Sequence, residues 1–308
     1  MKLYDKDSIA DRLDYATLIE ALRDGFRGDF TSPVRQAYET HTADDSKLFL
    51  LKPAWDDAST VIKLLTVNAS NPEHGRPFIQ GVIVIFDKDT GAPLGVMDAV
   101  EITNRRTAAA SALAADYLAR EDASILTIIG TGSLAPHMAH AHAAVRPINK
   151  VHVVGRSTDK ANATADKINS VNPELNASAA DVTEAIGAAD IVSAATSSPN
   201  PVVHGELVTA GTHIDLVGAF RPDTRESDDA AAAKSRIYVD TKEAAMQEAG
   251  DILIPIENGV ITADDVQGDL ADLCRGQVAG RGNDEEITLF KSVGTALEDL
   301  VAAKLLLD

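Results

Sequence analysis

Gly130-Thr131-Gly132-Ser133-Leu134-Ala135 follows the apolar run Ile125–Ile129 and opens a stretch with helical periodicity. Gly130 permits a tight turn, Gly132 lets a bound anion approach the backbone, and Ala135 keeps the helix near a sheet. With Thr131, Ser133 and Leu134, the junction presents backbone N–H groups and a positive helix end, which suits the pyrophosphate of a dinucleotide. Alone the pattern is weak. Its context raises it, because Val151-His152-Val153-Val154-Gly155 follows at the spacing of a second parallel strand. The end of that strand discriminates between nicotinamide cofactors, since an Asp or Glu there usually accepts from the ribose hydroxyls. Here Arg156, Ser157 and Lys160 stand instead. Arg156 suits adenine stacking and a 2′-phosphate, Ser157 can donate to that phosphate, and Lys160 adds charge. NADPH is therefore the expected cofactor, with NADH the alternative. A plainer reading of these residues is a solvated turn in which Ser157 caps the next helix. The segment 190–196 reads as a fourth strand whose small polar end, Thr196, can approach the cofactor.

A second set of residues suits a carboxylate. Lys63 interrupts the apolar strand Val61-Ile62-Lys63-Leu64-Leu65, and Arg105-Arg106-Thr107 precedes an alanine-rich helix expected over 107–118. A guanidinium at a helix start, reinforced by the dipole, binds carboxylate or phosphate. Arg35 is a further candidate for the same pocket. Other chemistries lack their residues. His137 and His140 share a helical face with His142 nearby, but no carboxylate or cysteine completes a metal set. No Gly-x-Ser-x-Gly elbow supports hydrolysis.

These residues require two kinds of scaffold. The first third reads as mixed α and β: a helix over 11–26, strands over 47–51, 60–68, 81–87 and 94–98, and a hairpin connection at Asp87-Lys88-Asp89-Thr90-Gly91. From residue 124 strands and helices alternate, with strands at 124–129, 151–155, 176–180, 190–196, 212–218 and 236–240 and helices at 133–145, 158–171, 182–188 and 241–249. That alternation predicts an α/β fold, a doubly wound parallel sheet beside an α+β domain. A last amphipathic helix is expected over 289–307. The expected division is a substrate-binding and dimerisation domain at 1–119 with 289–308, and a dinucleotide-binding domain at 120–288. The chain has 308 residues, 45% of them hydrophobic, enough for two modest domains. A net charge of −19 argues against a nucleic-acid partner. No apolar run is long enough to span a bilayer, and Met1-Lys2-Leu3-Tyr4-Asp5 lacks the apolar core of a secretory signal. One cysteine, Cys274, excludes an intramolecular disulfide and fits the cytoplasm.

With these pieces placed, the chain resembles the ornithine cyclodeaminase/μ-crystallin family along nearly its full length. The resemblance is carried by Val61-Ile62-Lys63-Leu64-Leu65-Thr66-Val67, Gln80-Gly81-Val82-Ile83, Thr103-Asn104-Arg105-Arg106-Thr107-Ala108-Ala109-Ala110-Ser111, the glycine turn, and Leu289-Phe290-Lys291-Ser292-Val293-Gly294-Thr295-Ala296. It implies a homodimer whose first domain supplies the substrate pocket and a shared β-barrel, with the final helix returning to that domain. It also implies that Arg35, Lys63 and Arg106 hold a substrate carboxylate, that Thr107 lies near the cofactor phosphates, and that the Val293-Gly294 turn lies near the nicotinamide.

Two departures narrow the resemblance. Phe220 stands where the cyclodeaminases and related alanine dehydrogenases carry an Asp that handles the substrate nitrogen, and Leu50 stands in place of the glutamate that recognises a distal amine. By contrast, Gly218-Ala219-Phe220-Arg221-Pro222-Asp223-Thr224-Arg225-Glu226 and Ala141-His142-Ala143-Ala144-Val145-Arg146-Pro147-Ile148 are similar to the bacterial reductases of cyclic imino acids. That similarity implies reduction of 1-pyrroline-2-carboxylate to L-proline and of 1-piperideine-2-carboxylate to L-pipecolate, as in hydroxyproline or lysine degradation. A cyclic imine already contains its C=N bond, so the site needs carboxylate anchoring and an apolar wall more than a deaminating acid. In this reading Phe220 packs near the ring, and Asp223 is a candidate proton donor whose alternative is a turn residue after Pro222. The rival readings are an L-alanine or N-alkyl amino acid dehydrogenase, an ornithine cyclodeaminase, and a non-catalytic binder of small ligands.

Overall fold

Period-two alternation of apolar residues builds the first sheet. Its elements are β1 (Lys2–Tyr4), α1 (Lys6–Arg12), α2 (Tyr15–Arg27), β2 (Gln36–Glu39), β3 (Lys47–Trp55), β4 (Ser59–Asn68), β5 (Ile79–Asp87) and β6 (Pro93–Asp98). The strand order is β1-β6-β5-β4-β3-β2, antiparallel except for the β1–β6 pair. The expected helix over 11–26 is in fact two. Asp14 accepts from the Thr17 N–H at 2.9 Å and so starts α2 afresh, one residue after α1 ends on Leu13. One face of the sheet buries Leu50, Ala54, Val61, Leu65, Ile83 and Ile85, and the C-terminal helix (Ala296–Leu307) packs against β3, β4 and α2. The opposite face carries Phe49, Leu51, Ile62, Leu64, Val82 and Val96, half-exposed or exposed.

The computed structural model describes residues 1–40, 47–68 and 70–307, in two units: Met1–Arg106 with Thr295–Asp308, and Thr107–Gly294. Helix α3 (Ala99–Leu118) contains the first boundary. It begins eight residues before the expected 107, where Asp98 accepts from the Glu101 N–H at 2.8 Å.

The second unit is a strand–helix alternation: β7 (Ile125–Ile129), α4 (Leu134–Val145), β8 (Lys150–Val154), α5 (Thr158–Val171), β9 (Ala177–Ala179), α6 (Val182–Gly187), β10 (Ile191–Ala194) and β11 (His213–Leu216). It continues through α7 (Asp229–Lys234), β12 (Ser235–Val239), α8 (Lys242–Glu248), α9 (Gly250–Glu257), β13 (Val266–Asp269), α10 (Leu270–Cys274) and β14 (Ile287–Lys291). All eight strands are parallel, in the order β13-β12-β14-β11-β10-β7-β8-β9. The chain therefore runs outward from β7 to β9, then crosses back to β10 on the other side, leaving a switch point between β7 and β10.

The helix expected over 289–307 is corrected here. Residues 287–291 are a central strand between β11 and β12 rather than the start of a helix: Thr288, Leu289, Phe290 and Lys291 are fully buried, as a strand covered on both faces requires. The last helix starts only at Ala296. The two compact units divide at 106/107 and 294/295, beside the division expected at 119/120 and 288/289. Among the described residues no helix is long and apolar enough to cross a membrane.

Candidate active site

Strand alternation turns Lys63 inward with Val61 and Leu65, where its side chain is fully buried. Its Nζ lies 2.9 Å from Asp299 Oδ1 on the C-terminal helix. Arg106 donates from Nη1 to Glu298, and its Nε stands 3.3 Å from the same Asp299 oxygen. A third cation is Lys52, which pairs directly with Lys63 across the β3–β4 ladder and is 5% exposed. Arg35, half-buried just before β2, is near enough to oppose the charge on Lys52. The first unit thus brings Lys63, Arg106 and Lys52 together around Asp299, with Glu298 bonded by Arg106 and Arg35 near Lys52. Leu50 lines the same inward face two residues before Lys52, an apolar neighbour with no group for an amine.

The electrostatics follow from burial. Desolvation pulls Lys63 down to about 8, with Asp299 resisting. Burial works against the Asp299 carboxylate too, but Lys63, Arg106 and Lys52 outweigh it and hold the group below the usual carboxylate range. Lys52 is driven well below the ordinary lysine value, first by desolvation and then by Arg106. Arg106 lies two turns inside α3. Its placement therefore owes nothing to a helix start, contrary to expectation; the acids of the C-terminal helix hold it. Arg105 does a different task, bonding Glu101 at 2.7 Å and the Leu13 carbonyl at 2.6 Å.

In the second unit the expected cofactor residues other than Thr107, together with the expected substrate residue Phe220, lie along one sheet edge. Arg156-Ser157 follows β8, the turn 130–133 follows β7, Thr196 follows β10, Phe220 lies beyond β11, and Val293-Gly294 follows β14. These five strands are consecutive in the sheet, spanning four strand spacings, about 19 Å. Gly130 has φ +132, and a Cβ there would sit 2.5 Å from the Ala195 carbonyl, so glycine is required for β7 and β10 to adjoin. Gly132 is different: a Cβ there would meet nothing within 4 Å. Internal packing does not demand glycine at 132, whereas a phosphate resting on the backbone at the α4 N-terminus does. The junction fits a dinucleotide on this ground. Ser157 is the N-cap of α5, accepting from the Lys160 N–H at 3.4 Å, which leaves its hydroxyl proton able to donate. Arg156 and Lys160 are exposed. Thr107 is buried in α3.

Two buried acids that sequence reasoning missed shape this edge. Glu226 Oε1 accepts from the Thr196 N–H at 2.6 Å, and Oε2 accepts from Gly218 at 2.6 Å and Ala219 at 3.3 Å. Burial lifts this carboxyl to about 7, with Lys291 pulling the other way. Asp240 Oδ2 accepts from Ser292 Oγ at 3.0 Å, from the Val293 N–H at 2.9 Å and from the Gly294 N–H. Each acid fixes a turn by its backbone. Phe220 is half-buried against the apolar core of the second unit. Asp223 is withdrawn from the donor role: it is exposed, bound by both ends of the Arg221 guanidinium at 2.9 and 2.8 Å. The hydrogen bond from Arg221 holds it below the usual range, so it keeps no proton to give. His142 faces the buried Asp215 at 3.4 Å. Among the described residues no group of three or more His, Cys, Asp or Glu is placed to hold a metal.

Residues 6–308 match the sequence model of the ornithine cyclodeaminase/mu-crystallin family. A delta(1)-pyrroline-2-carboxylate reductase of Colwellia psychrerythraea is 35% identical, over 98% of this chain and 97% of that protein. The Thermococcus litoralis delta(1)-pyrroline-2-carboxylate reductase, solved with NADH and L-proline, superposes with TM-score 0.94 at 34% identity, covering 100% of this chain and 96% of that one. An archaeal alanine dehydrogenase dimer with bound NAD gives TM-score 0.92 at 29% identity, covering 100% and 95%.

Proposed function

Because the chain belongs to the ornithine cyclodeaminase/mu-crystallin family, we propose that it is an NAD(P)H-dependent reductase of cyclic imino acids, acting on C=N bonds. The substrates are 1-pyrroline-2-carboxylate, yielding L-proline, and 1-piperideine-2-carboxylate, yielding L-pipecolate. The observation that carries this reading is the buried pair Lys63 and Arg106 over Glu298 and Asp299, with the half-buried Arg35 near Lys52. It suits a carboxylate, while Leu50 and Phe220 offer no acid to a substrate amine. When bound, the nicotinamide supplies a hydride to ring C2. Lys63 and Arg106 bind the ring carboxylate by charge-assisted hydrogen bonds, with Arg35 completing the set. Glu298 and Asp299 orient those cations before the substrate arrives. Phe220 supplies an apolar surface for the ring. Glu226 and Asp240 hold the turns at Thr196, Gly218 and Val293-Gly294 on which the cofactor rests.

NADPH is the preferred cofactor, because Arg156, Ser157 and Lys160 carry donors where an acid would select NADH. The working unit is a homodimer, which the exposed apolar face of the first sheet supports. The lone buried Cys274 fits a reducing compartment, the cytoplasm. The test is NADPH oxidation with five- and six-membered cyclic imino acids, repeated with NADH and with pyruvate plus ammonia or methylamine. Turnover confined to pyruvate with an amine would replace this reading with an alanine or N-alkyl amino acid dehydrogenase. Ammonia release from L-ornithine would restore cyclodeamination.

A further inference from the structure

Lys291 has no part in the roles assigned so far, yet its side chain is fully buried in β14, between β11 and β12. A central parallel strand ordinarily carries apolar residues there. Stability alone does not require a lysine, since apolar groups of similar size often match or better a buried ion pair. Its Nζ lies 3.0 Å from Oδ2 of Asp251, the second residue of α9, which is equally buried. The other oxygen of Asp251 accepts from the Glu226 N–H at 2.8 Å, the Ser227 N–H at 2.9 Å and Ser227 Oγ at 3.0 Å. The pair therefore grips the backbone of the residue whose carboxylate organises the turns at Thr196, Gly218 and Ala219. That carboxylate has little room to move. A Cβ on Gly218 would run into Glu226 Oε1 and the Thr196 carbonyl oxygen, and one on Gly250 into the Thr224 carbonyl oxygen. The sheet register sets Lys291 beside Leu216, two residues before Gly218, and beside Val239, next to Asp240.

We propose that Lys291 is a positioning residue for the dinucleotide: paired with Asp251, it fixes the Glu226 segment and so holds the turns at Thr196 and Gly218 in the arrangement that the cofactor meets. The proposal rests on the functional reading above, in which those turns carry the nicotinamide cofactor. Three accepted N–H bonds suit an ionised carboxyl. The charged groups set against Glu226 are Lys291 from β14, which favours that form, and Asp251 from α9, which opposes it. Arg225, its neighbour in the chain, is bonded to Asp229. Taking Lys291 away leaves two buried carboxyls without that ammonium, so one of them is driven to hold a proton. Glu226 is the one that yields, as burial already lifts it to about 7. A protonated Glu226 accepts more weakly on its hydroxyl side, and the turns it gathers loosen.

The experiment compares wild type, Lys291→Met, Glu226→Gln and the double variant. Amide hydrogen exchange of the protein without cofactor is the first readout. Lys291→Met is expected to lose protection at Thr196, Gly218 and Ala219, while amides within β10, β11 and β14 keep theirs. NADPH affinity, followed by fluorescence, is the second. It is expected to weaken by roughly three- to tenfold in Lys291→Met, and the same substitution in the Glu226→Gln background is expected to change it by less than about twofold. The fall in wild-type affinity on acidification through about 7, absent from Glu226→Gln, is expected at higher pH in Lys291→Met. Lys291→Gln replaces the methionine variant should that fold poorly. Unchanged protection and affinity, loss of protection across the whole sheet, or equal effects of Lys291→Met with and without Glu226 overturns the positioning role. Turnover of 1-pyrroline-2-carboxylate with NADPH by the wild type is measured in parallel. A wild type that binds NADPH without reducing the imine refutes the functional reading and leaves Lys291 to be decided by exchange and affinity. One that does not bind NADPH refutes both.

Discussion

Replacing Lys63 with methionine separates the work of the cluster from its effect on folding. Breaking a buried ion pair by removing one partner commonly costs about 3–5 kcal/mol, because a charge is left unmatched. Here two features reduce that loss. Asp299 keeps Arg106 at 3.3 Å and remains within the field of Lys52. Lys63 itself is held by burial at about 8 rather than 10.5, so its charged form carries a penalty of roughly 3 kcal/mol at neutral pH, which methionine removes. The net change in unfolding free energy is expected to be about 0–2 kcal/mol. Catalysis has no such compensation. A lost charge-assisted contact to a buried carboxylate costs about 2–5 kcal/mol, or roughly 30- to 5,000-fold in kcat/KM. Urea unfolding at pH 7, NADPH oxidation with 1-pyrroline-2-carboxylate and NADPH binding by fluorescence measure the three quantities. A folded Lys63→Met protein with kcat/KM within about fivefold of wild type would refute the reasoning, as would loss of NADPH binding in step with activity.

Three other outcomes are expected. Arg156→Ala combined with Lys160→Ala should lower kcat/KM for NADPH by roughly 10- to 100-fold, given about 1.5–3 kcal/mol for a charged hydrogen bond, and leave NADH unchanged; equal losses with both cofactors exclude 2′-phosphate recognition there. Glu226→Gln sets an amide N–H against a backbone donor at Thr196 or Gly218, so the KM for NADPH should rise by about tenfold, about 1–3 kcal/mol for an unmatched donor, with a smaller change in the imine KM. The reverse pattern places Glu226 elsewhere. His213 is buried and pushed down to about 3, chiefly by desolvation, and faces Thr288 Oγ1 at 2.9 Å. Its folded value lies below the unfolded one, so the stability linked to its neutral ring is present above pH 6.5 and lost as pH falls through about 3, on the order of 5 kcal/mol in full. Denaturant midpoints between pH 7 and 4 should fall more steeply for wild type than for His213→Asn, and parallel curves count against it.

The parts of this molecule that were legible from residues alone are those whose logic is local. The glycine turn at 130–132, with apolar strands before and after it, needs only neighbours in the chain to be read. Lys63 was legible as one charge inside an apolar strand. Lys52 was not: Leu51-Lys52-Pro53 reads as a polar strand end, and only the ladder shows it opposite Lys63. Glu298 and Asp299 lie inside the helix expected over 289–307 with nothing local to mark them, and their meaning comes from cations 192 and 236 positions away. Glu226 sits in Arg225-Glu226-Ser227-Asp228-Asp229, a polar run that looks solvated, yet its side chain is fully buried under two turns. Residues 289–291 read as the start of the amphipathic helix expected over 289–307, whereas Asp251 at 3.0 Å lets Lys291 lie inside a central strand.

The return of the C-terminal helix to the first sheet bears on how the protein is made. Asp299 leaves the ribosome 236 residues after Lys63, an interval of roughly ten to fifty seconds at ordinary translation rates. Throughout it, Lys63 is without the carboxylate that bonds it in the folded protein. Desolvating that ammonium before its partner exists is unfavourable. Burial of Lys63 is thereby tied to the last helix to be synthesised, which packs on the strands that carry it.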